Sequence, residues 1–347
     1  MTVPAPHRPP PRGGRLRRTL TRAHEKATVA AYRATSALMG HVPVSVAWPI
    51  ARGGFLAGYA AWPAKRRIIQ ANAGHILGVP PDDPAARRLA RRVYQTYARY
   101  VVELMRLPSR PLDEPARLFA TDGPTGYDSF RALYERTARE GRALIAVSCH
   151  IGSIETLVAA FASRGLPVYG LADDSAYPEL YELLQAQRRR WGVEVVPWRN
   201  LRSLFRILRQ PVVLGLLVDW GYRPEDVPVR LFGAWTTLPA GPAVLAARTR
   251  ALLVPVACRR LPHGHYEAEH LEPIEVPDGS PAGIARATQA IADAVEAMVR
   301  EAPAQWYTFK RMWPASDAEA EALAARGAAM LVAEVPAEPA PRETAPA

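Results

Sequence analysis

An α/β fold, with a mostly parallel central sheet flanked by helices behind an N-terminal helical segment, is predicted by three features of this 347-residue sequence. Short apolar runs recur at 143–148, 167–171, 193–197, 212–218 and 252–258, each of a length suited to a strand buried on both faces. Between them lie helical patterns at 153–164, 177–191, 199–209 and 241–249, and this alternation marks crossover helices covering a parallel sheet. Ahead of both, the chain reads as helix to about residue 107: Leu89, Val93, Tyr97, Tyr100, Val101, Leu104 and Met105 recur at three- and four-residue spacing in the run 84–107.

Taken in order, residues 1–20 are rich in Pro and Arg (Arg8, Arg12, Arg15, Arg17, Arg18) with no acid and no following apolar h-region. They read as a basic, disordered or surface-bound terminus and not as a secretory signal. Residues 21–80 form a helical segment of unusual apolarity, dense in Trp48, Ile50, Phe55, Leu56, Tyr59 and Trp62. Pro43, Pro49 and Arg52 interrupt it, and the clean stretch 53–64 is too short to span a bilayer before Lys65, Arg66 and Arg67. Two readings stand for it: ordinary packing helices, or helices lying in the membrane interface with aromatic rings at headgroup depth. Residues 81–315 make one α/β domain, in which 266–270 turns back on 253–260 around Pro262-His263-Gly264 and a helix at 281–301 closes the fold. Residues 316–347 read as a C-terminal helix and a disordered tail rich in Ala, Pro and Glu.

A hydrophobic content of 49% with 22% charged residues suffices for a sizeable core and excludes a disordered chain. Cys149 and Cys258, the two cysteines, both lie in apolar runs and read as buried, reduced thiols. The formal charge of +11 calls for an anionic partner. Zinc-finger, RNP and KH patterns are missing, so phosphate-bearing substrates and an anionic lipid surface are expected, not nucleic acid.

The chemistry concentrates in Ala143–Glu155. A buried strand ends at His150, passes Gly152 and re-emerges as a helix carrying Ile154, Leu157, Val158 and Phe161, and strand ends of this kind are where open α/β sheets bind ligands. Positions five apart face about 140° apart on a helix, so His150 and Glu155 meet only if His150 is in the loop and Glu155 reaches back, with Gly152 allowing the turn. That suits a histidine base oriented by a carboxylate, although a structural hydrogen bond has the same sequence appearance. There is no G-x-S-x-G elbow, no G-x-G-x-x-G and no P-loop. Asp219 ends another buried strand, either as a turn cap or as a site residue. Near it stand Val229-Arg230-Leu231-Phe232-Gly233 and Thr237-Leu238-Pro239-Ala240-Gly241-Pro242, where Gly241 opens a helix whose N-terminus suits an anion. Arg188, Arg189, Arg190, Arg199, Arg202, Arg206 and Arg209 form a basic face from which one or two forks suit a phosphate. His263, His265 and His270 read as a polar hairpin tip and not as a metal site.

Cys149-His150-Ile151-Gly152-Ser153-Ile154-Glu155 resembles the H-x4-[D/E] signature of glycerolipid-type acyltransferases, in a context similar to the bacterial lipid A biosynthesis (late) acyltransferases. The blocks Val229–Gly233, Pro239–Ala243, Leu245–Ala251 and Val254–Val256, with Pro303-Ala304-Gln305-Trp306-Tyr307 as a closing P-x-Q-W, are most similar to phosphatidylinositol mannoside acyltransferases. The resemblance spans about residues 35–315. It implies a monomer with a single α/β domain attached, as a peripheral or monotopic protein, to the cytoplasmic face of the cell membrane. It also implies acyl transfer from acyl-CoA or acyl carrier protein, as co-substrate, to a hydroxyl of a membrane glycolipid or phospholipid, with no metal and no further cofactor. By the same resemblance His150 is the catalytic base and Glu155 its carboxylate partner. Arg188 falls at an active-site arginine and Asp173 near the acceptor, while Asp219, Arg230, Phe232, Gly233 and Gly241 line the substrate site. Arg230 stands where the mannoside branch often has an acid, and Arg250 where Gly is frequent. A lipid A-type acceptor, a thioesterase and a non-catalytic lipid-binding homologue are the alternatives.

Overall fold

The structure, a computed structural model, describes residues 15–119, 124–172, 178–197 and 200–332. Four helices come first: α1 (Arg15–His41), α2 (Val44–Ala61), α3 (Pro63–Leu77) and α4 (Pro84–Arg106). The helix α1 begins inside the segment expected to be disordered; residues 1–14 and the tail from 333 lie outside the described residues. α4 is amphipathic, burying Ala86, Leu89, Ala90, Val93, Tyr94, Ala98 and Val102 at helical spacing, and it starts on Pro84 with Asp83 capping the Ala85 N–H at 2.7 Å.

α5 (Glu114–Leu118) and α6 (Tyr127–Arg139) precede the sheet. Then come β1 (Leu144–Ser148), α7 (Ile154–Ser163), β2 (Val168–Ala172), α8 (Pro178–Arg189), β3 (Glu194–Pro197), α9 (Leu201–Ile207) and β4 (Val213–Leu217). A hairpin, β5 (Val227–Leu231) and β6 (Ala234–Leu238), stands apart as its own two-stranded sheet before α10 (Gly241–Thr249), β7 (Leu252–Arg260) and β8 (Tyr266–His270). α11 (Pro281–Glu301) and α12 (Asp317–Val332) finish the chain.

The main sheet has six strands in the order β3-β2-β4-β1-β7-β8, parallel except for β8, which pairs antiparallel with β7. The five apolar runs and the returning hairpin therefore stand as expected. Both faces are covered. Ile145 and Val147 of β1 pack with Ala243, Ala246, Ile291 and Val295 of α10 and α11 on one side. Leu144 packs on the other side with Phe130 of α6 and Leu157 and Phe161 of α7. Strand order reverses at β1, which has β4 on one flank and β7 on the other, and the carboxyl end of such a strand is where open α/β sheets bind ligands.

The N-terminal helices lock onto the sheet. Glu103 of α4 accepts from the Arg260 guanidinium at 3.0 and 3.1 Å and from the Tyr266 hydroxyl at 2.6 Å. On α2 the apolar residues divide between two faces. Phe55 and Tyr59 pack edge-on against Tyr97 and Tyr94 of α4, whereas Val46 and Ile50, with Trp62 just after the helix, are 51%, 71% and 63% exposed. Among the described residues no helix is long and apolar enough to cross a membrane.

The β5–β6 hairpin was not foreseen. Its two-residue turn is Phe232-Gly233, with φ of 51° and 75°, the left-handed pair that a primed turn requires. Arg250, where Gly is frequent in the resembling branch, has φ of 60° at the end of α10, so it fills a left-handed helix terminus with a side chain.

Candidate active site

β1 delivers His150 just beyond its carboxyl end and leaves it as the central residue of a tight turn closed by the Ile151 N–H on the Cys149 carbonyl at 2.7 Å. Ser148 fixes the approach, its hydroxyl donating to the Val256 carbonyl of β7 at 2.6 Å. Gly152 then turns the chain into α7 with φ of 63°. A Cβ there would lie 1.9 Å from the Cys258 carbonyl oxygen, so the loop lies directly on the backbone of β7. Gly152→Ala is therefore expected to destabilise the fold by about 3 kcal/mol or more, since strain and a backbone clash add. Thermal melts test this, and an alanine variant as stable as the wild type would contradict the contact.

The carboxylate against His150 belongs to Asp219. Ser148 is the register partner of Leu217 in adjacent β1 and β4, and His150 and Asp219 lie two residues beyond that pair. Asp219 grips a single residue with both oxygens: Oδ2 accepts the His150 backbone N–H at 2.9 Å and Oδ1 meets the ring Nδ1 at 2.7 Å. The Trp306 indole N–H donates to Oδ2 at 2.8 Å. The Asp219 side chain is wholly buried, while that of His150 is 39% exposed. With Asp219 ionised, the short contact requires the proton on Nδ1 and leaves the lone pair of Nε2 for a ligand. Burial pushes the Asp219 carboxyl up, but the charge and hydrogen bonds of His150 and the Trp306 donor outweigh it and hold it below the usual range. Burial pulls the His150 imidazole down, yet the Asp219 charge and hydrogen bond leave it above its ordinary value, against a small opposing push from Lys310.

The Pro303–Tyr307 segment braces this pair. Its backbone accepts the Gly152 N–H at Gln305 (3.1 Å) and donates from Tyr307 to the His150 carbonyl (2.7 Å). The Gln305 amide clasps the Arg260 backbone at the end of β7, at 2.8 and 3.0 Å. The P-x-Q-W residues thus hold the histidine loop, the strand beside it and the buried acid together.

Glu155, expected against the His150 ring, is instead ion-paired with Arg188. It stands in the first turn of α7, and the guanidinium of Arg188 in the last turn of α8 grips both its oxygens, Nε at 3.2 Å from Oε2 and Nη2 on Oε1. The direction of travel explains the difference, because α7 carries Glu155 away from the turn whereas β4 runs alongside β1 and brings Asp219 to it. Asp173 and Arg199 lie outside the described residues. Arg230 is exposed, its guanidinium 5.6 Å from the Trp235 ring and its backbone bonded by the Gln289 amide at 2.8 and 2.9 Å. The Phe232 N–H goes to Glu296, and its ring centroid is 6.4 Å from that of Trp306, behind the buried acid. Gly233 completes the hairpin turn, and Gly241 is the first residue of α10 with open space at its Cα. Thr237 spends its hydroxyl on the backbone of Arg223, at 2.7 and 3.1 Å.

Cys149 and Cys258 are buried free thiols. Burial pushes the Cys258 thiol up to about 12 and the Cys149 thiol up as well, so neither is a ready nucleophile. Among the described residues no cluster of three potential metal ligands occurs. The link between His150 and Asp219 escaped the sequence because neighbouring parallel strands are far apart in the chain, although both residues stand at strand ends. Trp306 was legible as part of a motif but not as the donor to the acid.

Comparison with known proteins places the chain among the acyltransferases. Residues 17–314 match the bacterial lipid A biosynthesis acyltransferase family, and the chain belongs to it. It is similar to the phosphatidylinositol mannoside acyltransferase of Mycolicibacterium smegmatis, 28% identical over 273 residues that cover 76% of this chain and 85% of the relative. The enzyme of the same name from Mycobacterium tuberculosis is 27% identical over 260 residues, covering 72% of this chain and 78% of that one.

Proposed function

We propose that this acyltransferase moves an acyl chain from a thioester, acyl-CoA or acyl carrier protein, to a hydroxyl of a mannosylated phosphatidylinositol, with His150 as general base and Asp219 as its partner. One observation carries the reading: an accessible imidazole at a strand end with Nδ1 committed to a buried carboxylate. Nε2 removes the proton of the acceptor hydroxyl as its oxygen attacks the thioester carbonyl, and Asp219 offsets the charge on the imidazolium. Collapse of the tetrahedral intermediate expels the thiolate, which takes the proton from His150. The oxyanion is met by N–H groups in the first turn of α7, whose N-terminus has no side-chain cap, and by Arg188 held in place by Glu155. This assigns Glu155 a supporting role through Arg188.

This acceptor is supported by the names of the relatives, each a phosphatidylinositol mannoside acyltransferase. Attachment to a membrane surface is supported by the outward apolar face of α2 beside Lys65, Arg66 and Arg67, a pairing suited to anionic lipid, and the cytoplasmic face is part of the same proposal. The test is incubation of purified protein with radiolabelled acyl-CoA and mannosylated phosphatidylinositol in mixed micelles. Label should appear in the lipid. Label only in free fatty acid would make the protein a thioesterase, and no turnover with either acyl donor would make it a binding protein.

A further inference from the structure

The loop that supplies Asp219 continues through Trp220 and Gly221, and both are shaped around one lysine. Trp220 is 41% exposed, with its indole N–H anchored on the Leu217 carbonyl at 2.8 Å. Its ring stands edge-on to the His150 imidazole, at 88° and 5.9 Å between centroids. The Lys310 ammonium lies over the same indole, 5.1 Å from its centroid.

The lysine is held in place from three sides. Gly221 has φ of 97°, and a Cβ on it would come within 2.9 Å of the Lys310 Cβ, so the lysine stem occupies the space a side chain would need. The Tyr222 N–H bonds the Arg311 carbonyl at 2.8 Å, zipping this loop to the lysine segment. Asn72 of α3 donates to the Lys310 carbonyl at 2.9 Å and accepts from the Met312 N–H at 3.3 Å. Among the described residues no carboxylate lies within ion-pair distance of the Lys310 ammonium.

A cation fixed beside a general base lowers the base's readiness to take a proton, and among the described residues no anion is paired with this one to justify its position. The chemistry such a cation serves at the mouth of a site is recognition of an anion brought by the substrate. We propose that Lys310 is a substrate-binding residue whose ammonium takes a phosphate group of a substrate bound at His150. This rests on the acyl-transfer reading, in which phosphate arrives from either of two sources, the phosphodiester of the lipid acceptor or the phosphates of a CoA donor.

Steady-state kinetics of wild type, Lys310→Met and Lys310→Arg test it, with acyl-CoA and with the phosphate-free acyl-N-acetylcysteamine thioester as donors. Lys310→Met should raise one KM by about 10-fold, the equivalent of about 1.4 kcal/mol, and Lys310→Arg should restore most of it. If the donor supplies the phosphate, the rise appears for acyl-CoA and vanishes with the truncated thioester. If the lipid supplies it, the rise appears in the lipid KM with either donor. Removing the ammonium should also move the acidic limb of the pH profile upward, because the groups acting on His150 are Asp219, which favours its protonation, and Lys310, which opposes it. An unchanged KM for both substrates, or a loss that arginine does not restore, overturns the assignment. If wild type transfers no acyl group, the acyl-transfer reading fails by itself. Calorimetric titration with CoA and with phosphatidylinositol micelles then decides Lys310, and equal affinities of wild type and Lys310→Met for both overturn it.

Discussion

His150→Ala is expected to lower acyl transfer by about 10²–10⁴-fold or more while the protein stays folded. The loss follows from removing the group that takes the hydroxyl proton, and a free alcohol is a poor nucleophile toward a thioester without it. The fold should survive because Asp219 keeps two of its donors, the backbone N–H of residue 150 and the Trp306 indole. A modest drop in melting temperature is expected, since a buried carboxylate loses one partner. Circular dichroism and turnover measured on the same preparation check both parts. Turnover like that of wild type in a folded alanine variant would remove His150 from the mechanism.

Asp219→Asn should cost a loss of similar order and reshape the pH profile. Asp219 is the group that keeps the His150 proton affinity above its ordinary value. The base works unprotonated, so wild-type activity should rise with pH through that raised value and fall away below it. With asparagine the charge is gone and burial, which favours the neutral imidazole, dominates, so the acidic limb should move to lower pH. The plateau should fall as well, because an amide can hold the wrong tautomer. Losses in the pair should be non-additive, the double variant being little worse than either single one. A limb that stays in place in Asp219→Asn would show that another group orients the histidine. By comparison Glu155→Gln, acting through Arg188, should leave the limb where it is.

The parallel sheet was legible because each strand is a closed apolar run with a helix behind it. All five such runs became strands, and 266–270 returned on β7 as expected. The hairpin at Val227–Leu238 was not: Val227, Val229 and Leu231 do alternate with Pro228 and Arg230, but a proline argues against a strand and the turn Phe232-Gly233, with φ of 51° and 75°, lacks the Asn or Asp that marks a primed turn in sequence. His150 could be read from its place at a strand end. Its partner could not, because the nearest acid in sequence, Glu155, lies on a helix that leaves the turn, while Asp219 arrives through strand pairing. Exposure on α2 was equally hidden, as apolar residues packed on α4 and apolar residues facing outward look the same in sequence.

The bracing of His150 and Asp219 by residues 303–307 has a consequence for how the protein matures on the ribosome. Every strand of the sheet and the helix α11 are synthesised before this segment emerges. A nascent chain ending at residue 302 has the histidine and the acid, but it lacks the Trp306 donor to the carboxylate and both backbone bonds that hold the loop from His150 to Gly152. Trp306 belongs to the hydrophobic core as well as to the site, so both are completed by almost the last part of the domain to be made. A partly translated chain offers donor and acceptor no finished site.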